Sequence, residues 1–204
     1  KCDKGDDHVF LQRVIDKSKE SCTVCTGDTI VLSNCLSTLE PEISKQWHPT
    51  KNGNLNPYDV GKGSNKKVWW KCDKGDDHEW KALINNRTYG RGCPVCSNQK
   101  TVLSNSLGTI KPEIAKFWHP TRNGDLTPFM VNPYSNKKVW WKCPEDDDHI
   151  FQQPIAAKTE TSCLICSGFI VVKSNCLATL NPDLANEWHP TKNGDFTPYD
   201  VTAG

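Results

Sequence analysis

The sequence is poor in the features that mark large hydrophobic cores, membrane segments and strongly charged surfaces. Hydrophobic residues make up only 36% of the 204 positions, and no apolar run reaches the length of a membrane helix. The formal net charge is +1, which argues against a uniformly basic nucleic-acid binder. A membrane partner is therefore not expected. A chain with so few apolar residues needs a further source of stability.

Eleven cysteines offer that stability, and their odd number does not favour a framework of paired disulfides. Nine of them fall into three copies of one pattern: Cys, His six positions later, then Cys-x2-Cys. Four soft thiolate and imidazole donors suit tetrahedral zinc; disulfides, buried free thiols and iron are the weaker alternatives. We predict three structural zinc ions per chain, and the twelve ligands are Cys2, His8, Cys22, Cys25, Cys72, His78, Cys93, Cys96, Cys143, His149, Cys163 and Cys166.

The metal pattern belongs to a longer repeat with a period of 70 or 71 residues. The segment Lys-Lys-Val-Trp-Trp-Lys-Cys at 66–72 recurs at 137–143, and Trp-His-Pro-Thr at 47–50 recurs at 118–121 and 188–191. This period predicts complete zinc-binding repeats at 33–97 and 104–167. A zinc half-repeat at 1–27 precedes them, and a helical half-repeat at 174–204 follows. Because the series is cut within a repeat at each end, we expect an excised part of a longer protein.

Each repeat is predicted to contain a short helix, two strands and one metal. Pro112 suits the first turn of a helix over 111–118, and the residue before the next proline ends it. Residues 137–142 and 79–84 have the β-branched and aromatic composition of strands, with a turn over 85–92. In each Trp-Trp pair, at most one ring can face the core.

The tryptophans that end the short helices are expected to be mostly buried against the following strand; they are Trp47, Trp118 and Trp188. No such strand follows Trp188, so we expect it to be more exposed than Trp118.

Two other chemically active sets recur in the repeat. The histidines of Trp-His-Pro are interpreted as structural, with the ring bonding the loop that follows, rather than as catalytic or metal-binding; they are His48, His119 and His189. Cys35 and Cys176 share a phase at which the second complete repeat has Ser106. A position that accepts serine is not expected to bind metal, and these residues are interpreted as small residues near a helix start.

The segments 113–128 and 135–143, together with His78-Glu79-Trp80 and Gly92-Cys93-Pro94-Val95-Cys96, resemble a family of uncharacterised zinc-ribbon, treble-clef-like repeat domains. The resemblance implies small α+β domains stabilised by zinc, arranged as tandem repeats of about 70 residues. It also implies attachment to nuclease-like or other DNA-processing domains in some full-length relatives. The chain departs from the family pattern in one respect: five residues separate the first Cys from His, where the family usually has three.

Charge is segregated within each repeat and suggests a function. Lysine and arginine concentrate between Trp-His-Pro and the first metal-binding Cys, whereas aspartates fill the Cys-x5-His loops. Basic residues near tryptophans can bind phosphates while the rings stack on bases. We therefore expect nucleic-acid binding, to DNA rather than RNA. The expected contacts are Lys66, Lys67, Arg87, Arg122, Lys137, Lys138 and Lys158, with Lys17 and Lys158 at the repeat position of Arg87.

The alternative function is a zinc-stabilised array that binds protein or acts as a scaffold, because lysine clusters are often only solvated surface. Catalysis is not expected in this segment, since protein atoms fill all four positions of each metal site. No small-molecule substrate is expected for the same reason. We expect an intracellular protein, located in the cytoplasm or the nucleus.

Overall fold

The computed structural model describes residues 2–10, 22–158 and 162–203, which divide into two compact units at residues 1–100 and 101–204. Within these described ranges, no helix combines the length and the apolar character needed to cross a bilayer. The helices are single turns: α1 (Thr23–Thr26), α2 (Leu36–Leu39), α3 (Pro41–Ser44), α4 (Ile84–Thr88), α5 (Leu107–Ile110), α6 (Pro112–Ala115), α7 (Leu177–Leu180) and α8 (Pro182–Asn186). The strands are β1 (Lys67–Lys71), β2 (Glu79–Leu83), β3 (Lys138–Lys142) and β4 (Ile150–Pro154).

A proline splits each helical segment into two turns. Pro112 occupies the first turn of α6, as predicted, but the helix covers only Pro112–Ala115 and follows a separate turn, α5. Lys111 between them has φ −132° and ψ 65°, outside the helical region. The ring of a proline disfavours helical geometry at the preceding residue, so the chain bends there. This bend turns buried Leu107 and Ile114 toward one core.

Each unit contains one antiparallel hairpin, β1–β2 in the first and β3–β4 in the second. The predicted strands differ from the observed ones by one residue at an end. Along β1, Val68 and Trp70 are buried, while Lys67 is exposed and Trp69 is only partly buried. The same alternation on β3 buries Trp141 and leaves Trp140 on the outer face. Only the second tryptophan of each pair therefore belongs to the core.

The core of the second unit gathers around Trp141, which is fully buried. Its indole N–H donates to the Gln153 carbonyl at 3.1 Å, and its ring meets Trp118 edge to face with centroids 5.6 Å apart. Such an aromatic pair contributes about 0.5–1.5 kcal/mol beyond its buried area. Trp70 and Trp47 repeat this arrangement in the first unit, at 5.5 Å. The helical turns are thus tied to the hairpin that follows them.

The tryptophans that end the helical segments are each partly buried. Their indole N–H groups donate to backbone carbonyls eight residues later, at 3.1–3.2 Å, in Trp47, Trp118 and Trp188 alike. Trp118 and Trp188 are both partly buried, so the expected difference in their exposure stays a prediction. The histidines beside them do differ. His119 is buried, whereas His189 is exposed.

One element departs from the expectation for the first complete repeat. The sequence predicts a turn over 85–92, but Ile84–Thr88 is a helix, α4. Ile84 and Arg87 lie three positions apart and are both buried, so one side of this turn packs into the core. In the second unit the same place holds a 3-10 turn, Ile155–Ala157.

Candidate metal centres and basic hairpin surface

Three groups of four side chains converge, and they are the groups predicted: Cys2, His8, Cys22 and Cys25; Cys72, His78, Cys93 and Cys96; Cys143, His149, Cys163 and Cys166. Within each group the ligand atoms lie no more than 4.8 Å apart. The sulfurs of Cys72 and Cys96 are 3.7 Å apart, and His78 Nδ1 is 3.4 Å from Cys96 Sγ and 3.8 Å from Cys93 Sγ.

These spacings are the edges of a tetrahedron around zinc. Zinc bonds of about 2.3 Å to sulfur and about 2.0 Å to nitrogen place two sulfurs about 3.8 Å apart and a sulfur and nitrogen about 3.5 Å apart. All eleven cysteines are free thiols. The donors therefore fit three structural zinc sites, each closed by protein on all four sides.

The five-residue loop between Cys and His brings the imidazole to the thiols. The Cys72 N–H donates to the His78 carbonyl at 3.0 Å, and the His78 N–H donates to the Gly75 carbonyl at 3.1 Å. The ring lies directly over Gly75, where an added Cβ would be 2.7 Å from His78 Cδ2. The longer loop thus folds back on itself, and its extra residues do not displace the ligand.

The last cysteine of each metal site resists ionisation unless a cation joins it. Burial, together with the neighbouring thiols Cys72 and Cys93, raises the pKa of Cys96 to about 11. Burial and the corresponding neighbours raise the pKa of Cys166 to about 12. Zinc binds thiolates, so its binding displaces these protons and couples directly to folding.

The acidic loops of the first and third metal sites attach each of these sites to the helical segment that follows it in the same unit. The carboxylate of Asp7 accepts bonds from the Ser33 N–H at 2.8 Å and the Ser33 hydroxyl at 2.9 Å. Asp148 accepts the same pair from Ser174, at 3.3 and 2.8 Å. The backbone bond from Ser33 lowers the pKa of Asp7, and the hydroxyl of Ser174 lowers that of Asp148.

The histidine of the third site joins this connection. With Nδ1 facing the thiols, His149 Nε2 carries the proton and lies 3.0 Å from Ser174 Oγ, which in turn donates to Asp148. Bonds of this kind orient a ligand ring and make it a better donor to the metal. The sequence pattern does not predict this relay, because residues 26 positions apart form it.

The remaining cysteines and histidines have structural roles, as interpreted. Cys35, Ser106 and Cys176 are fully buried and each precedes the first turn of a helical segment. His119 Nδ1 accepts backbone N–H bonds from Thr121 and Arg122 at 3.3 and 3.2 Å. His48 and His189 make the corresponding pairs of bonds.

The basic residues expected to bind nucleic acid divide into two groups. Five are exposed: Lys66, Lys67, Arg122, Lys137 and Lys138. Arg87 and Lys158 are buried, at 7% and 3% exposure, and so they cannot reach a phosphate backbone. The prediction that these two are surface contacts is wrong, because they lie on the inner side of the turn after the hairpin. Lys17, at the same repeat position, lies outside the described residues.

Both buried cations adjoin metal ligands. Burial lowers the pKa of the Arg87 guanidinium, and the thiols of Cys93 and Cys72 act in the opposite direction. Burial likewise lowers the pKa of Lys158, whereas the thiols of Cys163 and Cys143 act to raise it.

The hairpin register reveals further surface residues beyond those predicted from the sequence. Trp69 pairs with Lys81, so both side chains project from the outer face. The Lys51 ammonium lies 5.1 Å from the Trp69 ring, and the Arg122 guanidinium lies 4.9 Å from the Trp140 ring. Strand alternation counted from Val68 would have identified Trp69 as the outer ring.

Comparison with known protein families gives a match to one family model, described as a probable treble clef zinc finger domain. It matches residues 43–99 and 114–169, together more than half of the chain. No curated protein matches the sequence significantly.

Proposed function

The chain belongs to the family of probable treble clef zinc finger domains, and from this premise we propose that its repeats bind nucleic acid, DNA in preference to RNA. The observation that supports the proposal most strongly is the outer face of each hairpin. There a partly exposed tryptophan is surrounded by basic side chains, an arrangement that can hold phosphates while the ring stacks on a base.

The outer face of the first hairpin consists of Lys67, Trp69 and Lys71 on β1 and Lys81 on β2, with Lys51 over the Trp69 ring. Glu79 also lies on this face, where it forms an ion pair with Lys51 and accepts a hydrogen bond from His48 Nε2 at 2.9 Å. These bonds lower the pKa of Glu79 to about 2 and keep it ionised. Lys71 also lies 3.9 Å from the exposed carboxylate of Asp76. The four lysines outnumber these two carboxylates, so the face stays positive.

The outer face of the second hairpin consists of Lys138, Trp140 and Lys142 on β3, with Arg122 stacked over Trp140. Isoleucine stands at 150 where the first hairpin has Glu79, and so no carboxylate occupies that position. Lys142 forms an ion pair with Asp147 at 2.5 Å. Arg122 combines a planar cation with an indole, which suits both phosphate binding and base stacking.

Four lysines at the start of β1 and β3 complete the positive surface, and none of them forms an ion pair with a described residue: Lys66, Lys67, Lys137 and Lys138. The acidic loops act against this surface, because their carboxylates stay ionised. Asp7 and Asp148 accept hydrogen bonds from serines of the next segment, which fix the position of the carboxylates but leave their negative charge in place.

A second candidate function rests on a different surface. Phe129, Met130 and Tyr134 are each more than half exposed in the loop before β3. Exposed apolar residues so close together favour a protein partner. If the repeats form a protein-binding scaffold, these residues are the expected contacts.

The experiment is a titration of labelled DNA and RNA, duplex and single-stranded, at several salt concentrations with zinc sites filled. We expect binding at low salt, with a slope of log affinity against log salt near −0.9 per neutralised phosphate on duplex DNA. Changing Lys66, Lys67, Lys137 and Lys138 together to Ala is expected to weaken binding to every sequence. It should also flatten the slope by about 0.9 for each phosphate that the variant no longer neutralises.

The control variant removes the same charge from exposed lysines of the helical segments: Lys45, Lys116, Lys173 and Lys192. It is expected to retain most of the affinity and the original slope. If both variants lost the same affinity, binding would depend only on the net charge of the protein and not on the hairpin surface. Absence of binding at low salt would reject the proposal and favour the protein-binding scaffold.

A further inference from the structure

A buried cation stands beside the metal ligands of the second site. Arg87 is 7% exposed, and its guanidinium lies 5.6 Å from the Trp70 ring and 5.5 Å from the Trp80 ring. One of its terminal nitrogens donates to Gln46 Oε1 at 2.6 Å and the other to the Arg91 carbonyl. All of these partners are neutral.

Beside the third site, the repeat position of Arg87 is occupied by a different cation, Lys158. Lys158 is 3% exposed, and its ammonium lies 4.1 Å from the Phe117 ring and 5.8 Å from the Phe151 ring. It donates to the Ser162 carbonyl, next to the ligand Cys163. Phe117 and Phe151 stand at the repeat positions of Gln46 and Trp80. The two repeats thus keep a buried cation while the residues around it differ.

No carboxylate of the described residues forms an ion pair with Arg87, and its buried Nε has no hydrogen-bond partner there. An unpaired charge in a protein interior costs several kcal/mol, and so buried arginines normally face an anion. A cleft beside Arg87 is lined by three ligands of the second site, Cys72, Cys93 and Cys96, and by Asp73, whose carboxylate is not within ion-pair distance of Arg87. The missing anion is therefore to be sought among these sulfurs.

A zinc ion with three thiolates and one neutral imidazole carries a net charge of about −1. We propose that Arg87 and Lys158 are the counter-cations of the second and third zinc–thiolate centres. Each cation balances the excess negative charge of its centre inside the protein, and the second centre supplies the anion that buried Arg87 requires. The two residues act on the metal through the thiolates and do not bind zinc themselves.

The proposal predicts a specific loss of zinc affinity at one site. Arg87→Met keeps an unbranched apolar stem against Trp70 and Trp80 but removes the charge. Loss of an outer partner of a metal ligand typically weakens metal binding roughly 10- to 100-fold, and we expect a loss in that range at the second site. Arg87→Lys restores a cation and is expected to recover at least about half of the loss on a logarithmic scale.

The measurement is competition with a graded zinc chelator, followed by native mass spectrometry to count bound zinc. Alkylation of released thiols, mapped by peptide, identifies the site that empties first. In Arg87→Met we expect Cys93 and Cys96 to react before Cys163 and Cys166, so that the third site serves as an internal reference. Lys62→Met, which removes an exposed charge in the same unit, is expected to leave the order of release unchanged.

A double-mutant cycle separates charge from packing. Cys96 is exposed, and Cys96→His exchanges one thiolate for a neutral ligand and leaves the zinc centre uncharged. Adding Arg87→Met to Cys96→His should then cost little further affinity, whereas a packing role would cost the same in both backgrounds. Three results would each overturn the proposal. Arg87→Met could cost the same zinc affinity in both backgrounds, it could leave zinc affinity at the wild-type value, or Arg87→Lys could bind zinc as weakly as Arg87→Met.

Discussion

At the scale of single residues, the Trp-His-Pro histidines show how a polar ring can hold a turn. His119 Nδ1 accepts two successive backbone N–H groups, from Thr121 and Arg122, in hydrogen bonds that are partly buried. An acceptor nitrogen must be unprotonated. Burial accordingly lowers the pKa of His119 below its ordinary value near 6.5, with Arg122 and Lys142 acting in the same direction.

His119→Ala is expected to destabilise the second unit by about 1–3 kcal/mol, because two partly buried hydrogen bonds lose their acceptor. His189→Ala is the matched control: the same bonds are exposed there, water can replace the ring, and a smaller loss is expected. The folded-state pKa of His119 is lowered, so its contribution is complete above pH 6.5 and is lost as the pH falls through that lowered value. Thermal unfolding of both variants with zinc in excess, between pH 5.5 and 7.5, measures this. Equal losses would contradict the role.

At the scale of elements, the hairpins were predictable from composition, and their faces could have been assigned by counting strand alternation from Val68 or Val139. Two adjacent tryptophans satisfy a strand pattern in either orientation, and only the phase set by Val68 or Val139 decides between them. The turn after β2 is a helix because Ile84 and Arg87 share one face. In the sequence, residues 85–92 have the composition of a solvent-exposed turn. Arg87 is buried only because this turn packs against the metal site.

Trp141→Ala and Trp140→Ala remove the same indole from opposite faces of β3. Trp141→Ala is expected to cost about 3–5 kcal/mol, the usual loss for a fully buried tryptophan. Trp140→Ala is expected to cost roughly 1 kcal/mol or less, mainly its stacking with Arg122, while it weakens nucleic-acid binding. Thermal unfolding combined with the DNA titration separates the two effects. Comparable destabilisation by both changes would mean that the outer face is also structural.

At the scale of the whole molecule, the four ligand types at each metal site were predictable because they recur in phase. Their connection to the following helical segment was not, because it depends on an aspartate and a serine 26 residues apart with no distinctive spacing. The third zinc site therefore lies at the end of its own hairpin and is bonded through Asp148 to the next segment, and Asp7 makes the corresponding bond from the first site. Loss of one metal is expected to loosen the segments that its loops hold, since repeat contacts are mainly between neighbours.

The most direct test of the three zinc centres is the number of zinc ions bound by protein purified without added metal, measured by native mass spectrometry with elemental analysis. We expect three zinc ions in the unmodified chain and two in His78→Ala. His48→Ala, which removes a turn-bonding histidine from the same unit, should retain three. Chelation should unfold the chain. Disulfides among Cys22, Cys25, Cys93 and Cys96 without bound metal, or three zinc ions retained by His78→Ala, would contradict the assignment of these ligands.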